Sequence, residues 1–236
     1  MRNVDVKPNT EFEGVYWIKL EDGSRHLATL NLDAGKSVYG ERLVRVGQKE
    51  YRAWDPYRSK LAAAMLKGIE TIPIHLGARV LYLGAASGTT VSHVSDMVGD
   101  GGAVYCIEFA SRAMRELIAN LCSGRRNIYP ILEDARFPER YRNIVRGADS
   151  IYCDIAQPDQ ARVLADNADL YLRRGSGAML AIKSRSIDVT RSPSEVFEKE
   201  VQVLKQRGFH VRSMLKLEPF DHDHAMVSMI YAGKQS

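Results

Sequence analysis

A chain of 236 residues, 45% apolar and 26% charged, can bury a full α/β core with room for one small extra domain. No apolar run approaches the roughly eighteen residues a membrane span needs, and residues 1–10 are polar without a hydrophobic leader, which argues against membrane insertion and secretion. Cys106, Cys122 and Cys153 are scattered with no C-x-x-C pair, as in a reduced cytoplasmic protein, and a net charge of +4 permits a polyanionic partner without requiring one.

Residues 1–55 are expected to form a small N-terminal β domain. Runs at 15–20 and 26–32 flank Glu21-Asp22-Gly23, a hairpin signal, and 42–46 alternates arginine with aliphatics as a half-buried strand does. Extended structure continues through Tyr51, Arg52, Ala53 and Trp54 until Pro56 ends it; Tyr16, Trp17, Tyr51 and Trp54 are expected in the core. A helix over 59–67 leads into a second domain, 56–236. There, strands are expected at 79–83, 104–108, 127–132, 149–153 and 177–183, with helices between them. In the helix over 111–122, Met114, Leu117, Ile118 and Leu121 share one face. Ser192-Pro193-Ser194-Glu195 combines an N-cap, a first-turn proline and a glutamate three residues after the cap, starting a helix that ends at Gly208. Runs at 211–217 and 225–231 are joined by so short a turn that they must pair antiparallel. The expected fold is therefore α/β: a mostly parallel, seven-stranded Rossmann-like sheet with an antiparallel last strand, plus the small β domain.

The chemistry concentrates at strand ends. Val80-Leu81-Tyr82-Leu83 runs into Gly84-Ala85-Ala86-Ser87-Gly88, and a helix opens at Thr89-Thr90, leaving backbone N–H groups free to face a crevice. Glu108 ends the next strand, where a carboxylate can accept from ribose hydroxyls, and Phe109 follows. Gly84 and Gly88 stand four apart with no G-x-G-x-x-G, which favours an adenosine cofactor lacking a pyrophosphate, with S-adenosylmethionine the commonest. Gly84, Ala85, Gly88, Thr89 and Thr90 would line its methionine end, Glu108 and Phe109 its ribose and one adenine face. Asp134 and Ala135 close the third strand near the adenine, and Asp154, Ile155, Ala156 and Gln157 close the fourth.

Methyl transfer to an alcohol needs a route for the hydroxyl proton. Asp154 and Lys183 end predicted strands, Lys60 lies on the preceding helix and His224 starts the last strand, so all four are candidates for the reacting centre. Two lysines around one aspartate would let mutual repulsion lower one lysine pKa into a useful range. His224 can equally be a turn residue, and the ligand spacing is too poor to suggest a metal. Arg185 and Arg191 flank Lys183, suited to RNA phosphates; the remaining arginines are expected on a solvated face.

Four segments, Val80 to His93, Glu133 to Arg136, Cys153 to Ala161 and Leu217 to Ala225, make the chain resemble the fibrillarin family over residues 10–233. The initial β domain and the lack of a glycine–arginine-rich tail match its archaeal form. The resemblance implies a cytoplasmic, S-adenosylmethionine-dependent 2′-O-methyltransferase acting on ribosomal and transfer RNA within a box C/D guide particle. It implies a Nop-domain scaffold protein, a kink-turn-binding ribosomal-type protein and a guide RNA as partners. It also implies Lys60, Asp154, Lys183 and His224 as the catalytic set, with Thr89, Thr90, Glu108, Phe109, Asp134, Ala135, Asp154 and Gln157 in the cofactor pocket. A stand-alone RNA ribose methyltransferase is the alternative. A non-catalytic scaffold is disfavoured by the retained acids and lysines, and a nucleotide-binding oxidoreductase by the glycine spacing.

Overall fold

The computed structural model describes residues 5–234, whose backbone hydrogen bonds build two sheets. Strands β1 (Asp5–Pro8), β2 (Val15–Lys19), β3 (Arg25–Leu30), β4 (Leu43–Val46) and β5 (Lys49–Trp54) form the first, in the order β1-β2-β3-β5-β4, every pair antiparallel. β1 falls in the polar stretch that carries no strand pattern. It forms because β2 offers partners, from Asp5 opposite Lys19 to Pro8 opposite Tyr16, while its own side chains stay largely exposed. Tyr51 and Trp54 are buried as expected, whereas Tyr16 and Trp17 are only partly so.

The chain continues through α1 (Lys60–Leu66), β6 (Arg79–Leu83), α2 (Thr89–Val98), β7 (Ala103–Glu108), α3 (Ser111–Leu117), β8 (Ile128–Leu132) and β9 (Ser150–Cys153). α4 (Gln160–Tyr171), β10 (Gly177–Lys183), the single turn α5 (Ser184–Ile187), α6 (Pro193–Gln206), β11 (Phe209–Lys216) and β12 (His224–Tyr231) complete it. The second sheet has seven strands in the order β11-β12-β10-β9-β6-β7-β8, parallel except for β12, which runs antiparallel to both neighbours. This is the sheet expected from the alternating pattern. Strand order reverses between β6 and β9, and a crevice opens beyond their carboxyl ends, where such sheets bind ligands.

Local signals were largely obeyed. At the start of α6, Ser192 Oγ accepts from Glu195 N while Glu195 Oε2 accepts from Ser192 N at 3.0 Å. The helix expected over 111–122 departs from expectation: beyond Leu117 it widens into a π-type turn, Ile118–Cys122. Leu117 and Leu121 stay fully buried under Gly88, where an added Cβ would lie 2.5 Å from a Leu121 methyl. Ile118, expected on that same face, is 44% exposed. All three cysteines are free, but Cys122 is only partly buried.

The expectation that arginines stay on the surface fails at two positions. Arg52 on β5 is fully buried, donating to Glu41 (2.6 Å), Asp96 Oδ2 (2.9 Å) and Ser92 Oγ (2.8 Å). Arg125, also buried, pairs with Asp96 Oδ1 and donates to Asn31 Oδ1 at 3.1 Å. A buried charge is tolerated only when paired, and here the pairing ties the first sheet to α2. Phe12, Val15, Leu27 and Trp54 reinforce the tie by sharing one core with Val91, Val94 and Met97.

His93, on the same helix, is fully buried and stacks on Trp54 with ring centroids 4.4 Å apart. Thr29 Oγ1 spends its proton on Asp96, so it accepts from His93 Nδ1–H at 2.8 Å, and Tyr39 Oη donates to Nε2 at 2.8 Å. Burial, helped by Arg52 and Arg125, pushes the imidazole pKa well below its ordinary value. The unfolded chain therefore binds one more proton once pH falls below about 6.5, and stability declines with acid from there. The melting temperature is expected to fall between pH 7 and 5 in calorimetry, with a shallower slope in His93→Gln. Equal slopes would refute this account.

Candidate active site

The cofactor turn is shaped by contacts across the switch point. Gly84 (φ +81°) and Ala85 both donate to Ile107 O, at 2.9 and 3.1 Å. A Cβ on Gly84 would sit 2.6 Å from the carbonyl oxygen of Asp154, so only glycine lets the ends of β6 and β9 close together. Ala86 holds a left-handed backbone (φ 49°), with its N–H donating to Glu108 Oε2 at 2.9 Å. The other Glu108 oxygen accepts from Ala110 N at 2.8 Å. Glu108 thus clamps two loops, and each oxygen keeps a lone pair for a ligand.

Gly84, Ala86, Glu108, Phe109, Asp134, Ala135, Asp154, Ile155, Ala156, Gln157 and Lys183 line one cleft. Phe109, 66% exposed, presents a bare ring there. Asp134 is held by the Arg136 guanidinium at 2.6 Å, which with the Arg136 N–H keeps its carboxyl below the usual range. Ala85, Gly88, Thr89 and Thr90 lie on the turn without forming this wall. Thr90 is buried, and its hydroxyl donates to Ser59 Oγ at 3.0 Å. Ser59 caps α1, so Thr90 braces the helix that carries Lys60.

Two of the candidates for the reacting centre, Lys60 and Lys183, converge on a third, Asp154. Its Oδ1 lies 2.8 Å from Lys183 Nζ and 3.3 Å from Lys60 Nζ, and Lys183 Nζ also donates to the Asp154 carbonyl at 2.8 Å. Cross-strand register sets Lys183 directly opposite His224, so both side chains leave the same sheet face. Sequence reasoning missed Asp221, whose carboxylate lies 3.6 Å from Lys60 Nζ and 2.8 Å from His224 Nδ1. Its position within Asp221-His222-Asp223-His224 was the available signal, but nothing local ties that turn to α1.

Asp221 bears on one of the two lysines, Lys60. Burial opposes the charge on Lys60, but Asp154 and Asp221 together outweigh it and raise the lysine pKa. Repulsion between the lysines therefore does not set Lys60 near neutrality; it remains an ammonium. Burial likewise opposes ionisation of Asp221, but His224 and Lys60 hold its carboxyl below the ordinary range. The His222 carbonyl, 2.6 Å from His224 Nδ1, can only accept, so Nδ1 carries a proton, and Nε2 is the ring position at which another can be taken up. Arg185 and Arg191, expected near phosphates, pair with Asp223 (3.0 Å) and Asp188 (3.2 Å) on the surface. Among the described residues no cluster suits a metal ion.

A sulfonium cofactor with an adenosine suits these residues. Glu108 has lone pairs to spare, Phe109 offers a ring face, and buried Asp154 Oδ1 is met by charge but by no well-directed hydrogen bond. The family model described as Fibrillarin matches residues 6–233. The fibrillarin-like rRNA/tRNA 2′-O-methyltransferase of Pyrobaculum aerophilum is 54% identical over 225 residues, covering 95% of this chain and 96% of that protein. The structure of Aeropyrum pernix fibrillarin with natively bound S-adenosyl-L-methionine superposes with a TM-score of 0.90 at 51% identity, covering 97% of this chain and all of that one. A fibrillarin from a fibrillarin/Nop5p complex superposes with a TM-score of 0.80 at 38% identity, covering 94% of this chain and 98% of that one. With its switch-point crevice, its glycine turn and nearly its whole length accounted for, the chain belongs to the fibrillarin family.

Proposed function

We infer that this chain is the S-adenosylmethionine-dependent enzyme that methylates ribose 2′-hydroxyls of ribosomal and transfer RNA, as the catalytic subunit of a box C/D particle. The carrying observation is the convergence of Lys60 and Lys183 on one part-buried aspartate beside the cofactor turn. Relatives named for this activity, and a relative solved with the cofactor bound, support the reading. The Nop5p complex of a relative supports a Nop-domain scaffold as partner. The kink-turn protein and guide RNA complete the proposed particle, and the cytoplasm is its proposed compartment.

When bound, the cofactor supplies an electrophilic methyl group on a sulfonium. Glu108 would hold its ribose, and Phe109, Asp134 and Ala135 the adenine. The turn from Gly84, with Ile155, Ala156 and Gln157, would enclose the rest, and Asp154 would offer a negative charge to the sulfonium. Lys60, held cationic by two carboxylates, stabilises charge growing on the ribose oxygen. Lys183, fixed by the carboxylate and carbonyl of Asp154, orients the 2′-hydroxyl. His224 Nε2, with the ring oriented by Asp221, receives the departing proton.

The test is labelled-methyl transfer to a short target RNA, by the chain alone and by the chain with scaffold, kink-turn protein and guide RNA. Transfer only in the full assembly, at the guide-specified ribose, is the expected result. Efficient transfer by the isolated chain would make it an unguided ribose methyltransferase, and no transfer in either setting would leave a non-catalytic scaffold.

A further inference from the structure

A second cleft, of about 580 Å³, lies where the first sheet meets α1 and the turn between β11 and β12. The exposed guanidiniums of Arg25, Arg42 and Arg58 line it. Two carboxylates share the lining, but buried Arg52 engages Glu41 at 2.6 Å, which leaves Asp55 in the lining and Asp22, near Arg42, against three cations. Tyr57 also lines it, 68% exposed, its ring edge-to-face with Phe220 at a centroid distance of 5.2 Å. Arg58 lies over the Tyr39 ring at 5.1 Å and donates to the Tyr39 carbonyl at 3.3 Å, which holds its guanidinium in place.

This cleft adjoins the reacting centre. Phe220 is the chain neighbour of Asp221, Tyr57 and Arg58 immediately precede the cap of α1, and Asp221 and Lys60 stand 3.6 Å apart. Surplus guanidiniums beside an aromatic pair, exposed Tyr57 backed by part-buried Phe220, suit a strand of alternating phosphates and flat bases. An acidic peptide would answer the arginines and leave the rings bare.

We propose that this cleft holds the target RNA strand beside the nucleotide being methylated, with Tyr57 and Phe220 stacking on a flanking base and Arg58, Arg42 and Arg25 meeting the phosphates beyond it. The assignment rests on the 2′-O-methyltransferase reading and adds the residues that seat the substrate. It also gives the β domain a part in substrate binding, since Arg25 and Arg42 belong to it.

The wild type and the variants Tyr57→Ala, Phe220→Ala, Arg58→Ala and Tyr57→Trp are assembled with scaffold, kink-turn protein and guide RNA. Target strands carry 5-iodouridine at successive positions beside the target nucleotide and are irradiated. Cross-links from a flanking position to Tyr57 or Phe220 are expected. Alanine at either ring should raise KM for target RNA about ten-fold, a size typical of one lost stacking contact. Tyr57→Trp should keep the wild-type KM, and the isolated variants should bind S-adenosylmethionine as the wild type does. Absence of both cross-links, or an unchanged KM, overturns the proposal. So does loss of scaffold binding with an unchanged RNA KM in whatever particle still assembles, which would make the cleft a protein face. A wild type that transfers no methyl group overturns the functional reading itself, whereas an active wild type with unaffected variants overturns this assignment alone.

Discussion

Asp154→Asn should lower methyl transfer in the assembled particle by about a thousand-fold or more, as expected when a preorganised charge at a reacting centre is removed. The substitution keeps the side chain's shape but removes the negative charge that both lysines approach, at 2.8 and 3.3 Å. Lys60 remains held by Asp221 and Lys183 by the Asp154 backbone carbonyl, so the fold should survive with the two ammonium groups no longer balanced. The isolated variant should also bind S-adenosylmethionine more weakly, because the charge opposing the sulfonium is gone. Single-turnover transfer and calorimetric titration measure the two effects separately. A variant within ten-fold of wild type would show that Asp154 is structural, and the mechanism would then have to be rebuilt around Asp221.

The second large effect is on stability. Asp96→Ala should destabilise the chain by about 3–5 kcal/mol, the usual result of leaving buried charges without their partner. Asp96 accepts from Arg52 and Thr29 through one oxygen and from Arg125 and the Leu32 N–H through the other. Its loss strands two buried guanidiniums between the first sheet and α2. For a chain of this size the melting temperature should fall by about 10 °C. Replacing the whole group, as in Asp96→Leu and Glu41→Gln with Arg52→Met and Arg125→Met, should cost less than removing the acid alone, because no uncompensated charge remains once the buried partner of Arg52 is also neutral. A quadruple variant less stable than the single one would mean that the network contributes net stability of its own.

Much of the site was legible before any coordinates. The glycine turn after β6, Glu108 after β7 and Asp154 after β9 are local patterns, and alternating strands and helices oblige all three to meet at the carboxyl edge of one sheet. The residues that were missed share a different character. Asp221 reaches Lys60 only because β12 lies antiparallel beside β10 and the turn before it folds toward α1. Arg52 and Arg125 carry the chemistry of a surface and lie in the interior because Asp96 and Glu41 are there to meet them. Tyr57 and Phe220 give no signal in either stretch of sequence and form a pair only across a tertiary contact.

The sequence by itself therefore determined the fold class and the chemistry of the cofactor turn, and it named Lys60, Asp154, Lys183 and His224 as candidates for the reacting centre. Each of these depends on side-chain period, turn geometry or the ends of strands, which act over a few residues. Tertiary structure decided the charge state of Lys60, the tautomer of His224, the bracing of α1 through Thr90 and the attachment of the β sheet to α2. Those properties depend on the distance between charged or polar groups and on their removal from water, and such electrostatic effects exist only once residues as far apart as Lys60 and Asp154, 94 positions along the chain, have been brought within 3.4 Å.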